Sequence, residues 1–320
     1  MLNLAALAMY KGEPPFLCKD KYVESRLDTF LARAEGVLAR LEPLLPALRE
    51  PIDWSQTVAA RWRREGQGGY LQPIEVNLEL RLSDLQGVDR QQVLLGQNTQ
   101  QFVDGMPANH ALLWGARGTG KSSLVRALLA EYAQRGLRLI EIERDHLTDL
   151  PRVVAQISKQ PQRFVLFCDD LSFDASNDDY RVLKSVLDGS LEQAPDNVLL
   201  YATSNRRHLV SERQSDNADW ERSADGELHP SEAVEDKIAL SDRFGLWLSF
   251  YPFTQDQFLQ VTKHWVEVLA TRAQLVWQWS EETEKEAIRW ALGRGNRNGR
   301  CAYQFARHWV GKQLLDVANA

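Results

Sequence analysis

Gly115-Ala116-Arg117-Gly118-Thr119-Gly120-Lys121-Ser122 is the stretch that decides how this chain folds. It fits the phosphate-loop pattern G-x-x-x-x-G-K-[ST] without a mismatch. The flanks are those the pattern needs. Ala111-Leu112-Leu113-Trp114 is a short apolar run of the kind that forms a buried strand, and Ser123 to Ala130 has the pattern of a helix. A Gly-rich turn with a chance Lys-Ser would lack that context. Glycines let backbone N–H groups close around a di- or triphosphate, and the helix N-terminus adds a site for anions. Gly115 through Ser122, continued by Ser123, therefore form the expected nucleotide cradle. Lys121 is placed to reach the β- and γ-phosphates, and the Ser122 hydroxyl to ligate Mg²⁺.

Working outward, the pattern alternates. Leu137–Ile142 reads as a strand, Leu150–Ile157 as a helix, Phe164–Cys168 as a strand, Tyr180–Leu191 as a helix and Val198–Thr203 as a strand. Such alternation makes a parallel sheet covered by helices on both faces. Upstream, Ile74–Leu80 alternates like a strand after the break at Gly66-Gln67-Gly68-Gly69, and a helix is expected over about Arg90–Val103. From about Gln255 amphipathic helices take over. Before all of these, Leu27, Leu31, Ala34, Leu38 and Leu41 form one seam on a helix that Pro43 and Pro46 should end. That helix is expected to pack on its own domain. The mixed aromatic and cationic segment Asp53–Arg64 could touch nucleic acid, but aromatic anchors with arginines at the surface are the commoner reading. Residues 211–236 read as a long polar loop.

Two acids, Asp169 and Asp170, end the strand Phe164–Cys168. Asp169 is placed to hold Mg²⁺, usually through water in such enzymes. Asp170 stands where many such ATPases carry a Glu that polarises the attacking water. Its side chain is shorter by about 1.5 Å, one carbon–carbon bond. Asn205 closes the next strand, where an amide can orient a water beside the γ-phosphate.

In that order these motifs resemble the AAA+ ATPases. The resemblance implies that Arg243, in Leu240-Ser241-Asp242-Arg243-Phe244-Gly245, is an arginine finger. It also implies that Arg300, in Gly299–Phe305, is a second sensor, and that Val88, in Gly87-Val88-Asp89, lines an adenine pocket. More closely, Leu112–Ser123, Ala202–His208 and Ser241–Leu246 are similar to a bacterial ATP-binding family catalogued only as a domain of unknown function, number eight-fifteen. The likeness runs from about Asp53 to Trp309. It implies an α/β fold, namely a parallel-sheet P-loop ATPase core with a C-terminal α-helical lid and an N-terminal mostly helical extension. The expected boundaries are 1–80 for the extension, 81–254 for the core and 255–320 for the lid.

Arg243 precedes an apolar run, Phe244–Phe253, that would fix it at a domain edge, pointing at a neighbouring subunit. For Arg300 an alternative stays open. Arg294, Arg297, Arg300 and Arg307, with Tyr303 and Trp309, form a basic stretch suited to nucleic-acid phosphates.

The whole chain adds limits. With 38 basic and 44 acidic residues its net charge is −6, so no global positive field draws it to nucleic acid or an anionic membrane. Cys18, Cys168 and Cys301 lie too far apart for metal-ligand spacing. The apolar start at Met1–Tyr10 lacks a basic flank and is too short to span a bilayer. A cytoplasmic protein without a membrane partner is expected. The chain contains no Asn-Lys-x-Asp guanine signature and no visible acceptor motif of a small-molecule kinase. The leading expectation is an ATP hydrolase with Mg²⁺ as cofactor. It acts as a homo-oligomer that remodels or loads a protein or nucleic-acid partner. The alternative is a slow ATP-dependent switch.

Overall fold

The computed structural model describes residues 17–41, 50–66, 68–171, 183–184, 187, 195–205, 221–222, 228–229 and 243–319. Two compact units divide the chain, Met1–Pro51 and Ile52–Ala320. In the first, helix α1 spans Leu17–Leu41. Its seam does not pack as expected, since Leu27, Leu31 and Leu38 are all exposed.

In the second unit a seven-stranded sheet runs in the order β2-β1-β4-β5-β6-β3-β9. The strands are β1 (Ala59–Glu65), β2 (Gly68–Pro73), β3 (Ala111–Gly115), β4 (Leu137–Glu141), β5 (Arg163–Cys168), β6 (Val198–Ser204) and β9 (Leu246–Phe250). Only the β1–β2 hairpin pairs antiparallel; the other neighbours are parallel. Residues 221–222 and 228–229 pair as a separate short ladder, β7–β8, inside the stretch expected to be loop. The remainder of that stretch, and most of the helix expected over Tyr180–Leu191, lie outside the described residues.

Strand side chains point alternately to the two faces, and here both faces are buried. Phe164, Leu166 and Cys168 of β5 pack on one face with Trp62, Ile140 and Leu200. Val165 and Phe167 pack on the other with Leu113, Leu124 and Tyr201. This two-sided burial is why the strands read as continuous apolar runs. Each such side chain contributes about 1.5–3 kcal/mol when fully buried. Helices α2 (Asp89–Val103) and α3 (Lys121–Tyr132) bury one stripe each, and α4 spans Leu150–Ile157. Cys168 and Cys301 are buried free thiols, and burial pushes Cys168 up to about 12.

The sheet differs from expectation at its start. Ile74–Leu80 is not a strand; the strand is Gly68–Pro73, and its hairpin with β1 joins the central sheet through β4. The expected helical region 1–80 therefore contains two strands of the sheet, and the second compact unit begins at Ile52.

The C-terminal helices are α5 (Gln255–Arg272), α6 (Glu281–Arg294) and α7 (Gly299–Ala318), packed on a core of their own around Phe258, Val266, Phe305 and Trp309. Each has a side-chain N-cap: Thr254, Ser280 and Asn298 accept from the backbone N–H of Gln257, Thr283 and Cys301. Such caps typically stabilise a helix by about 1 kcal/mol. Among the described residues no helix is long and apolar enough to cross a membrane.

Candidate functional site at the strand ends

Strand order creates the site. β6 lies between the phosphate-loop strand β3 and the acid-bearing strand β5, and all three are parallel. The C-terminal ends of β3, β5 and β6 therefore bring Gly115, Asp169 and Asn205 to one edge of the sheet. Ligands in open α/β sheets bind outside such ends. A cleft of about 750 Å³ opens there, lined by the loop from Arg117 to Ser123 and by Asp169, Asp170, Asn205 and Arg300. Gly120, the N-cap of α3, contributes no side-chain hydrogen bond. The first amides of that helix are thus available to an anion.

Lys121 is buried, with 7% of its surface exposed. Its ammonium donates to the carbonyls of Gly115 (2.7 Å) and Ala116 (2.8 Å) and to Asn205 Oδ1 (3.3 Å). Three acceptors match its three donors. Burial pushes its pKa down to about 8, against the opposing pull of the Asp169 and Asp170 carboxylates. An anion brought into the cleft would offset that penalty.

Asp169 and Asp170 are held differently. Asp169 Oδ1 accepts from Ser122 Oγ at 2.7 Å and from Thr203 Oγ1 at 2.5 Å. A hydroxyl beside a carboxylate is the hard-oxygen donor set that Mg²⁺ takes, so these residues fit that ion. Among the described residues no three His, Cys, Asp or Glu side chains are grouped to hold a metal alone. Phosphate and water oxygens would have to complete its shell. Asp170 has φ +55°, a left-handed conformation that Asp tolerates better than most residues. Its N–H donates to Thr203 Oγ1 at 2.9 Å, which fixes this turn to β6. Its carboxylate accepts from Asn205 Nδ2, and Arg117 lies 3.4 Å away in an exposed pair of little energetic weight.

Away from the loop the cleft lining mixes polar residues such as Asp84 and Arg272 with an apolar set. Leu85 and Val88 supply that set from the segment before and at the start of α2, and Val261, Trp265 and Tyr303 supply it from the lid. Trp265 and Tyr303 meet edge to face, with centroids 4.9 Å apart. A flat heterocycle suits this apolar wall, with its phosphates directed to the loop.

The sequence-derived site residues line this cleft except Gly115 and Ala116, at the start of the loop, and Arg243. Arg243 is half-buried and precedes β9, whose parallel register pairs Ala111 with Leu246 and Gly115 with Phe250. It therefore lies beyond the opposite end of the strand pair, about 15 Å or more from the loop at 3.3 Å per residue. Sequence reasoning missed Thr203, which bridges the two acids, and Trp265, which supplies part of the apolar wall. It also missed Asn298, whose side chain donates to Arg117 O at 2.9 Å. A Ser/Thr/Asn cap signal before Gly299 was the only trace of the last.

A phosphate-loop strand beside a polar-tipped strand, beside an acid-tipped strand, under a helical lid, defines a P-loop fold of the AAA+ class. Within that class, residues 55–313 match the family model described as "Protein of unknown function (DUF815)", and the chain belongs to that family. Among solved structures it is similar to the Thermotoga maritima RuvB Holliday junction branch migration motor. The identity there is 16% and the TM-score 0.49, over 75% of this chain and 67% of that one. It is also similar to the Aeropyrum pernix Orc1 protein in complex with DNA, at 15% identity and TM-score 0.46, over 68% of this chain and 58% of that one. A third, DnaI, is 20% identical with TM-score 0.37, over 54% of this chain and 88% of that one. No curated protein matches the sequence.

Proposed function

We propose that the protein binds Mg·ATP in this cleft and hydrolyses it between subunits, using the cycle to remodel or load a macromolecular partner. The observation that carries this reading is the convergence of Lys121, Ser122, Asp169, Asp170, Asn205 and Arg300 on one cleft while Arg243 stands away from it. Lys121 and the loop amides bind the phosphates. Ser122 and Asp169 would hold Mg²⁺, which when bound would supply charge neutralisation of the phosphate oxygens. Asp170 accepts the proton of the attacking water, which Asn205 orients. Arg300 approaches from the lid. Val88 and the apolar wall take the adenine.

The test separates the two acids. Asp170→Asn is expected to keep ATP affinity while hydrolysis falls at least about 100-fold, the range of general-base loss. Asp169→Asn is expected to lose the Mg²⁺-dependent part of binding. Single-turnover hydrolysis and binding with and without Mg²⁺ measure both. Equal wild-type behaviour in the two variants would remove the acids from the mechanism.

Lys121 adds a pH signature. Its free ammonium gives up its proton as pH rises through about 8, whereas bound phosphates favour the charged form. ATP affinity is therefore expected to fall as pH climbs above 8. At pH 8 binding should take up a fraction of a proton, measured by calorimetry in buffers of differing ionisation enthalpy. Affinity that stays flat from pH 7 to 9.5 contradicts this placement of Lys121.

The second reading, a slow ATP-dependent switch, is favoured by the short Asp170 carboxylate and its engagement by Asn205. A single-turnover rate that stays slow in the assembled oligomer selects it.

A further inference from the structure

We infer that Asn298 is a positioning residue that clamps the phosphate loop to the lid, so that the state of the nucleotide site is passed directly to the first turn of α7. This rests on the nucleotide reading of the cleft and goes beyond it by naming the coupling element.

One side chain makes two bonds in opposite directions. Asn298 Oδ1 accepts the Cys301 N–H at 2.9 Å, capping α7, while Nδ2 donates to the Arg117 carbonyl at 2.9 Å. An amide is suited to this, since it offers an acceptor and a donor at once, and only one orientation of the group satisfies both partners. Beside it, the Arg300 N–H donates to the Gly118 carbonyl at 3.1 Å. The first free amides of α7 are therefore satisfied partly by its own cap and partly by the phosphate loop. In effect the loop is a second cap for the helix that carries Arg300.

The close approach depends on glycine. Gly118 has φ +78°, and a Cβ there would lie 2.7 Å from Asn298 Nδ2; a Cβ on Gly299 would lie 3.3 Å from Gly118 O. The loop's N–H groups serve the cleft while these two carbonyls serve the lid. Any rearrangement of Arg117–Gly118 as phosphates enter or leave must strain or release the start of α7. By reciprocity, the lid bond that favours the occupied loop raises ATP affinity by the same factor as ATP stabilises the bond.

Asn298→Ser and Asn298→Asp test this in the full-length chain. Both residues are good helix caps. Ser places its only polar atom one bond short of the loop, and Asp has no donor for the Arg117 carbonyl. ATP affinity by calorimetry is expected to fall about 3–10-fold in the Ser variant, the range of one neutral hydrogen bond. It should fall further in the Asp variant. Hydrogen exchange supplies the readout that capping alone would not move. In the wild type, ATP should increase protection of the Arg300–Ala302 amides. In both variants that ATP-dependent increment should shrink while the lid core around Phe305 stays protected.

Wild-type affinity and a full ATP-dependent increment in the Ser variant overturn the clamp and leave the nucleotide site intact. Loss of the increment only in Asn298→Ala, which lacks a cap, would reduce Asn298 to a helix cap and also overturns it. A wild-type protein that binds no ATP overturns both the clamp and the reading beneath it.

Discussion

Lys121→Ala is expected to lower ATP affinity about 10–100-fold, the range for losing a charge-assisted hydrogen-bonding group, and to abolish measurable turnover. The same variant is expected to fold and, without nucleotide, to unfold at a temperature no lower than the wild type. The reason lies in its surroundings. The ammonium is buried, and its pKa is pushed down to about 8 because burial disfavours the charge more than Asp169 and Asp170 favour it. Removing it removes that penalty, although the Gly115 and Ala116 carbonyls lose a donor. Calorimetric affinity, steady-state hydrolysis and thermal unfolding of the same preparation check the three parts. A folded variant with unchanged affinity would sink the nucleotide assignment.

Arg243→Ala is expected to cut hydrolysis about 10³–10⁵-fold, the effect typical of an arginine finger, with ATP affinity little changed. The geometry motivates a role in trans. Arg243 stands at the start of β9, while the phosphate loop follows the opposite end of its partner β3. Its backbone thus lies at the other end of this strand pair from its own phosphate loop. Specific activity should therefore rise with protein concentration. Mixing Arg243→Ala with Lys121→Ala should restore part of the activity, because an intact finger from one chain can serve an intact loop in the other. Full activity in a verified monomer would end this proposal, as would the absence of rescue in demonstrated mixed oligomers.

The candidate site was legible because its signals are local. The phosphate loop, Asp169-Asp170 and Asn205 each end a strand whose burial on both faces makes an unmistakable apolar run. Features that depend on distant partners were not legible. Asn298 meets Arg117 across most of the chain, and nothing near either residue announces the other. The misplaced strand has a physical cause as well. Ile74, Val76 and Leu80 alternate because an extended segment lays them against the core, yet it forms no ladder there. The true strand, Gly68–Pro73, was disguised as a break by its glycines. Gly69 is needed in it, since a Cβ would sit 2.3 Å from the Trp62 ring. The finger role of Arg243 rests on resemblance alone, and its neighbours Ser241 and Asp242 lie outside the described residues.

The β1–β2 hairpin determines how this sheet meets other molecules. β4 is buried along Leu137–Ile140, and its outer backbone groups would form an open, apolar edge if the sheet ended there. Such an edge templates strand-to-strand aggregation. β1 closes it and β2 becomes the border instead, a six-residue strand with two glycines and a terminal proline. Sticky chemistry is thereby exchanged for a border poorly suited to extension by another strand. Extension of this sheet by a strand from another molecule is therefore disfavoured along this margin.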